Sequence, residues 1–151
     1  MLLALAAIKR VIPGFGERPL MAEDFYRACR RMRVKVHTIP LRVDGFYMFT
    51  PRGGAHIYVN SRLHGLRWLY VAWHELAHHI LHAPKDVTVA FFRNVSPGSK
   101  EDVEAEAAAS IAIVPEPKLR RLLATPREEW EYGITEEMVE HRLKVLRIYG
   151  A

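Results

Sequence analysis

The sequence predicts an α+β fold, with helices packed around a small, mainly antiparallel sheet. Three observations point to it. Apolar residues recur at helical spacing in several separate segments. Two short runs rich in aromatic and β-branched residues flank a Pro-Arg-Gly-Gly turn. Long helical patterns stand on either side of this hairpin without the regular strand–helix alternation of a parallel α/β sheet.

The elements follow in order. Leu2 to Ile12 reads as a short helix closed by Pro13-Gly14, with a loop reaching Pro19. Met21 to Arg33 is helical again, since Phe25, Cys29 and Met32 share a face and Glu23 and Asp24 complement the first turn. Val34 to Ile39 alternates and stops at Pro40, as a strand does. Turns at Asp44-Gly45 and Pro51–Gly54 bracket Phe46–Thr50 and Ala55–Asn60, which are expected to pair as an antiparallel hairpin. Leu66 to His82 is a long apolar helix ended by Ala83-Pro84. Val87–Phe92 is a further strand candidate. Ser99 is placed to cap a helix over Lys100–Val114, which Pro115 stops. Helical pieces at Leu119–Ala124 and Arg127–Tyr132 precede a helix capped by Thr135 that runs toward Tyr149. With no repeat and no linker, residues 1–151 read as one domain, its core over about residues 20–115 and a helical C-terminal segment over about 117–150.

Composition narrows the function classes. The balance of 50% hydrophobic and 26% charged residues excludes a mainly disordered or fibrous chain. A single cysteine, Cys29, permits neither an internal disulfide nor a Cys-x-x-Cys site, and a cytoplasmic location is expected. The apolar start stops at Lys9-Arg10, with no basic residue before it, so neither an export signal nor a membrane span is expected. Net charge is +8 over residues 1–73 and −3 over 74–151. Much of the excess lies in Arg27, Arg30, Arg31, Arg33 and Lys35, a cluster able to attract nucleic acid or an acidic partner. No aromatic residue interleaves these arginines, which favours a solvated helix face over a base-stacking surface.

The chemistry concentrates in His74-Glu75-Leu76-Ala77-His78. Imidazoles at i and i+4 stand one turn apart on one helix face, where both can bind a single Zn²⁺. Glu75 is turned roughly 100° away and is free to act as a base toward metal-bound water. Trp68, Leu69, Val71, Ile80 and Leu81 would bury this helix and hold the ligands rigidly. A catalytic zinc needs a third protein ligand, and Asp102, Glu104 and Glu106 are candidates at the start of the next long helix. Spacing alone leaves the three open. His82, one turn beyond His78, is a candidate to hydrogen-bond a ligand or the substrate, and His79 is expected to meet a neighbouring element. His37, His56, His64 and His141 are isolated and read as structural.

The motif, together with Asp102-Val103-Glu104-Ala105 and Pro115, resembles the ImmA/IrrE family of metallopeptidases. The likeness extends to Ile57–Leu63, to His82, and to Tyr132–Thr135 and Arg142-Leu143 in the tail. Setting Ala105 and Pro115 on the corresponding family residues implies that Glu104 is the third metal ligand beside His74 and His78, with Glu75 catalytic. The resemblance further implies a zincin-like fold, zinc as the cofactor with manganese as the alternative ion, and a helix-turn-helix transcriptional repressor as protein substrate, cut in response to stress or mobile-element signals. In zincin-like folds the strand before the motif helix lies beside the cleft. Here that strand is Ala55–Asn60, so Tyr58 and His56 are candidates for substrate contact and a free strand edge is expected to pair with an extended peptide. The rival reading is a non-catalytic interaction module with a structural or vestigial metal, binding a repressor or DNA. The presence of Glu75 argues against it.

Overall fold

The computed structural model describes residues 1–83 and 98–151, together with the backbone of residues 91–93. Its elements run α1 (Leu2–Val11), α2 (Ala22–Arg31), β1 (Val34–Ile39), β2 (Gly45–Thr50), β3 (Gly54–Asn60), α3 (Gly65–His82), β4 (Phe91–Arg93), α4 (Lys100–Ile113), α5 (Glu116–Leu123) and α6 (Glu136–Tyr149). The predicted α+β class holds, with helices around one small sheet. Between α5 and α6 the expected helical piece is a single 3-10 turn, Arg127–Glu129, fixed by Trp130, whose indole donates to the carbonyls of Leu122 and Thr125. The strand expected over Val87–Phe92 begins at Phe91 among the described residues, and Val87–Ala90 lie outside them.

The sheet order is β1-β3-β2-β4. The hairpin forms as expected, with Tyr47 opposite Ile57 and Phe49 opposite Ala55. On its other side β3 pairs in parallel with β1, from Val34 opposite Ala55 to Ile39 opposite Asn60. This corrects the expectation that Ala55–Asn60 offers a free edge: β3 is paired on both sides and central. The reason is apolar matching. Ala55, Ile57 and Val59 are fully inward, and Val34 and Val36 extend the same buried face, so β1 closes the edge a peptide would have used.

The inner face of the sheet packs on α3, which also carries the domain's long axis of burial through Leu69, Ala72, Trp73, Leu76 and Ala77. Against its other side lies α4. Ala105, Ala107, Ala108, Ala109 and Ala112 are all buried, and their small side chains let the two helices approach closely. The core is not confined to residues 20–115. Leu5, Ile8, Ile12 and Phe15 join it from the N-terminal side, and Val139 and Val145 from α6. No helix among the described residues is long and apolar enough to cross a membrane.

Candidate metal centre

Each side chain of the centre is set by its element. His74 and His78 project from the same side of α3, and their Nε2 atoms stand 3.1 Å apart. Asp102 comes from the first turn of α4, where Ser99 caps the helix by accepting from the Asp102 amide at 3.2 Å. One Asp102 oxygen, Oδ2, accepts from the Gly98 amide at 2.9 Å. The other, Oδ1, lies 3.4 Å from His74 Nε2. The three ligand atoms lie within 4.8 Å of one another.

These separations suit a small divalent ion. Bonds of about 2.0–2.1 Å in a tetrahedron put neighbouring ligand atoms about 3.3–3.4 Å apart, close to the 3.1 and 3.4 Å observed. The donor set, two imidazoles and a carboxylate, is one that zinc accepts in catalytic sites. Burial, the largest influence on His74, drives it toward the neutral form that ligation requires; the Asp102 charge opposes this and His82 reinforces it.

Glu75 sits beside the pair without joining it. The side chain is almost fully buried and, with His74, borders a cleft of about 570 Å³. Burial, assisted by the Asp102 charge, pushes its carboxyl up to about 8. Burial makes the Glu75 carboxylate a stronger base than an exposed one, and a cation held by His74, His78 and Asp102 would favour its ionised form. The opposite wall of the cleft comes from α6, through Glu137, Met138, His141 and Lys144.

The remaining sequence candidates separate clearly. Glu104 is not among the three gathered residues: its Oε2 accepts from His82 Nε2 at 3.0 Å, and its Oε1 lies 3.6 Å from the N-terminal ammonium of Met1. Desolvation works to raise its pKa, yet the His82 contact prevails and holds the carboxyl below its ordinary value. Glu106 lies on the cleft wall, 3.8 Å from His141. His82 touches His78, Nδ1 to Nδ1, at 3.2 Å. His79 turns to the sheet, where its Nδ1 meets the Tyr47 hydroxyl at 2.9 Å. His56 and Tyr58 are not brought to the cleft. Ile57 faces α3 with its partner Tyr47, so alternation sends both neighbours to the far side of the sheet. There His56 contacts His37 at 2.9 Å and Tyr58 stacks between His37 and Phe46. Sequence reasoning left His141 as structural, although it borders the cleft; only the docking of α6 could have revealed that. A signal for Asp102 was available: three residues after the Ser99 cap, its amide is fixed by the cap and its carboxylate reaches back to the amide just before it, here that of Gly98.

No curated protein matches the chain. The family model described as IrrE N-terminal-like domain, Peptidase_M78, matches residues 29–144, a span that contains β1 to β3, the whole of α3 and α4, and most of α6. With that span covered and the His-Glu-x-x-His helix at its centre, the chain belongs to the ImmA/IrrE family of metallopeptidase-like domains.

Proposed function

We propose that this domain is a zinc-dependent endopeptidase in which His74, His78 and Asp102 hold the ion and Glu75 is the general base. The observation that supports it best is the gathering of Asp102 Oδ1 with the two imidazoles within 4.8 Å, where His74 also borders the cleft beside Glu75. An ion bound there supplies a Lewis acid for the scissile carbonyl and lowers the pKa of water toward neutrality. Glu75 takes the proton from the attacking water and returns it to the leaving amine. Its burial keeps bulk water from competing for that proton, and the rigid packing of α3 fixes its carboxylate beside the cleft. Asp102 is held in its ligating pose by the Gly98 amide, which occupies the oxygen turned away from His74.

An endopeptidase acts on a polypeptide, and we extend the proposal to an exposed segment of a helix-turn-helix repressor in the cytoplasm. The cleft of about 570 Å³ accommodates a few residues of extended chain rather than a folded domain. Glu75→Gln tests the mechanism. The variant is expected to bind one zinc per chain with unchanged affinity and to lose at least 100-fold in cleavage of an unstructured peptide substrate. Cleavage by the variant at the wild-type rate would remove Glu75 as the base, whereas a wild-type protein that binds zinc and cleaves nothing would leave the non-catalytic reading.

A further inference from the structure

The three histidines of α3 at i, i+4 and i+8 make a ladder that continues past the metal-facing pair. His74 Nε2 meets His78 Nε2 at 3.1 Å, His78 Nδ1 meets His82 Nδ1 at 3.2 Å, and His82 Nε2 meets Glu104 Oε2 at 3.0 Å. The carboxylate end of the chain gives its hydrogen bonds a direction. An ionised carboxylate only accepts, so the hydrogen on His82 must reside on Nε2. With that hydrogen directed at Glu104, the 3.2 Å contact places His82 Nδ1 to accept from His78 Nδ1. That leaves the Nε2 of His78 as a lone pair directed toward His74, the form a metal ligand needs.

We propose that Glu104 and His82 are positioning residues that fix the ring orientation and tautomer of His78 through this relay. The inference rests on the metal-site reading above but assigns Glu104 a different task from the ligand role that family resemblance implies. Glu104 acts on the ion only through two intervening imidazoles. Both relay groups are well shielded, with side-chain exposures of 8% for His82 and 11% for Glu104, so water competes weakly for the hydrogen bond between them. A carboxylate placed behind a ligating histidine is a common way to orient it; here a second histidine, His82, extends that arrangement by one link. The sequence signature is His-x-x-x-His-x-x-x-His on the motif helix, with the relay glutamate two residues after Asp102.

The test uses the full chain and two conservative variants, Glu104→Gln and His82→Phe, with Asp102→Asn for comparison. Long-range ¹H–¹⁵N spectra of the metal-free protein report the tautomer of His78. Wild type is expected to carry the proton on Nδ1, and both variants to redistribute it toward Nε2. Zinc titration against a competing chelator is expected to show one ion per chain in both, with affinity weakened about tenfold. The double variant should bind no worse than the weaker single one, since the two residues act as one chain. Asp102→Asn is expected to lose the ion at the same concentrations. An unchanged tautomer, an unchanged affinity, or complete loss of zinc in Glu104→Gln would each overturn the relay. Wild-type protein that binds no zinc would sink the metal-site reading instead, while the metal-free spectra would still decide the relay.

Discussion

Asp24 accepts from three N–H groups at once. The Arg18 guanidinium reaches its two oxygens at 2.7 and 2.9 Å, and the Met21 amide donates to it at 2.9 Å at the start of α2. The Arg18 hydrogen bonds are the largest influence on its pKa and outweigh partial desolvation, with the Met21 amide adding to them, so the carboxyl is held below its ordinary value. A carboxylate depressed on folding stabilises the native state fully at pH values well above its unfolded pKa, and that contribution disappears as pH falls through the folded one. Asp24→Asn is therefore expected to cost about 1 kcal/mol at pH 7, in line with a partly exposed charged pair at a helix start. The difference from wild type should shrink toward zero near pH 2, as read by urea unfolding at both pH values. A gap that widens on acidification would mean that the charge on Asp24 is not what stabilises the start of α2. Cys29 is governed by the same balance with the opposite outcome. Burial pushes its thiol up to about 12, so the single cysteine of the chain is a core residue with no thiolate chemistry at neutral pH.

At the scale of elements, the contact between β2 and α3 aims Glu75. Gly45 opens β2 directly against the motif helix, and a Cβ built there would stand 2.7 Å from Val71 Cγ1, 2.8 Å from the Tyr58 carbonyl oxygen and 3.4 Å from Glu75 Oε1. Backbone cannot yield as a side-chain tip can, so Gly45→Ala must push the strand start away from α3. The expected cost is about 1–3 kcal/mol in stability, typical of overpacking. Because the displaced atoms border Glu75 rather than the ligands, cleavage should fall at least tenfold while zinc affinity changes less than twofold; equal losses in both would place the distortion elsewhere. Such contacts mark the limit of what the sequence conveyed. The helix limits around Gly65–His82, the Ser99 and Thr135 caps and the hairpin were legible because their signals are local: periodicity, cap residues and turn glycines. The parallel pairing of β1 with β3 was not, since it joins residues about 20 apart through a matched buried face rather than a turn. In the same way, Asp102, Glu104 and Glu106 are equally plausible on one helix. Asp102 approaches His74 because α4 docks on α3 with its alanine face inward, and that rotation is a property of the packed pair.

For the whole molecule, the cleft depends on how α6 is fastened, because α6 supplies the wall opposite Glu75. The fastening is Arg142. It is 1% exposed, and its Nε donates at 2.7 Å to the carbonyl of Val114, the residue that closes α4. Burial lowers its pKa to about 10, against a modest opposing pull from Glu116, so the guanidinium remains charged at neutral pH. One hydrogen bond thus ties the end of α4 to the middle of α6, whose Val139 and Val145 are also buried. Arg142→Met nearly conserves the volume but removes the donor and leaves the Val114 carbonyl buried without it. Loss of a charge-assisted bond together with an unsatisfied acceptor is expected to cost about 2–4 kcal/mol. Chemical denaturation gives that number, and hydrogen exchange locates it. Amides of residues 136–149 should lose protection well beyond the global change, whereas those of α3 should follow it. Zinc affinity is expected to hold within twofold, because none of His74, His78 and Asp102 lies on α6. Cleavage should fall through a raised KM, since a loosened wall weakens substrate binding before it disturbs Glu75. A variant that keeps KM and loses only kcat would show instead that α6 acts on the catalytic step itself, with His141 the first residue to examine.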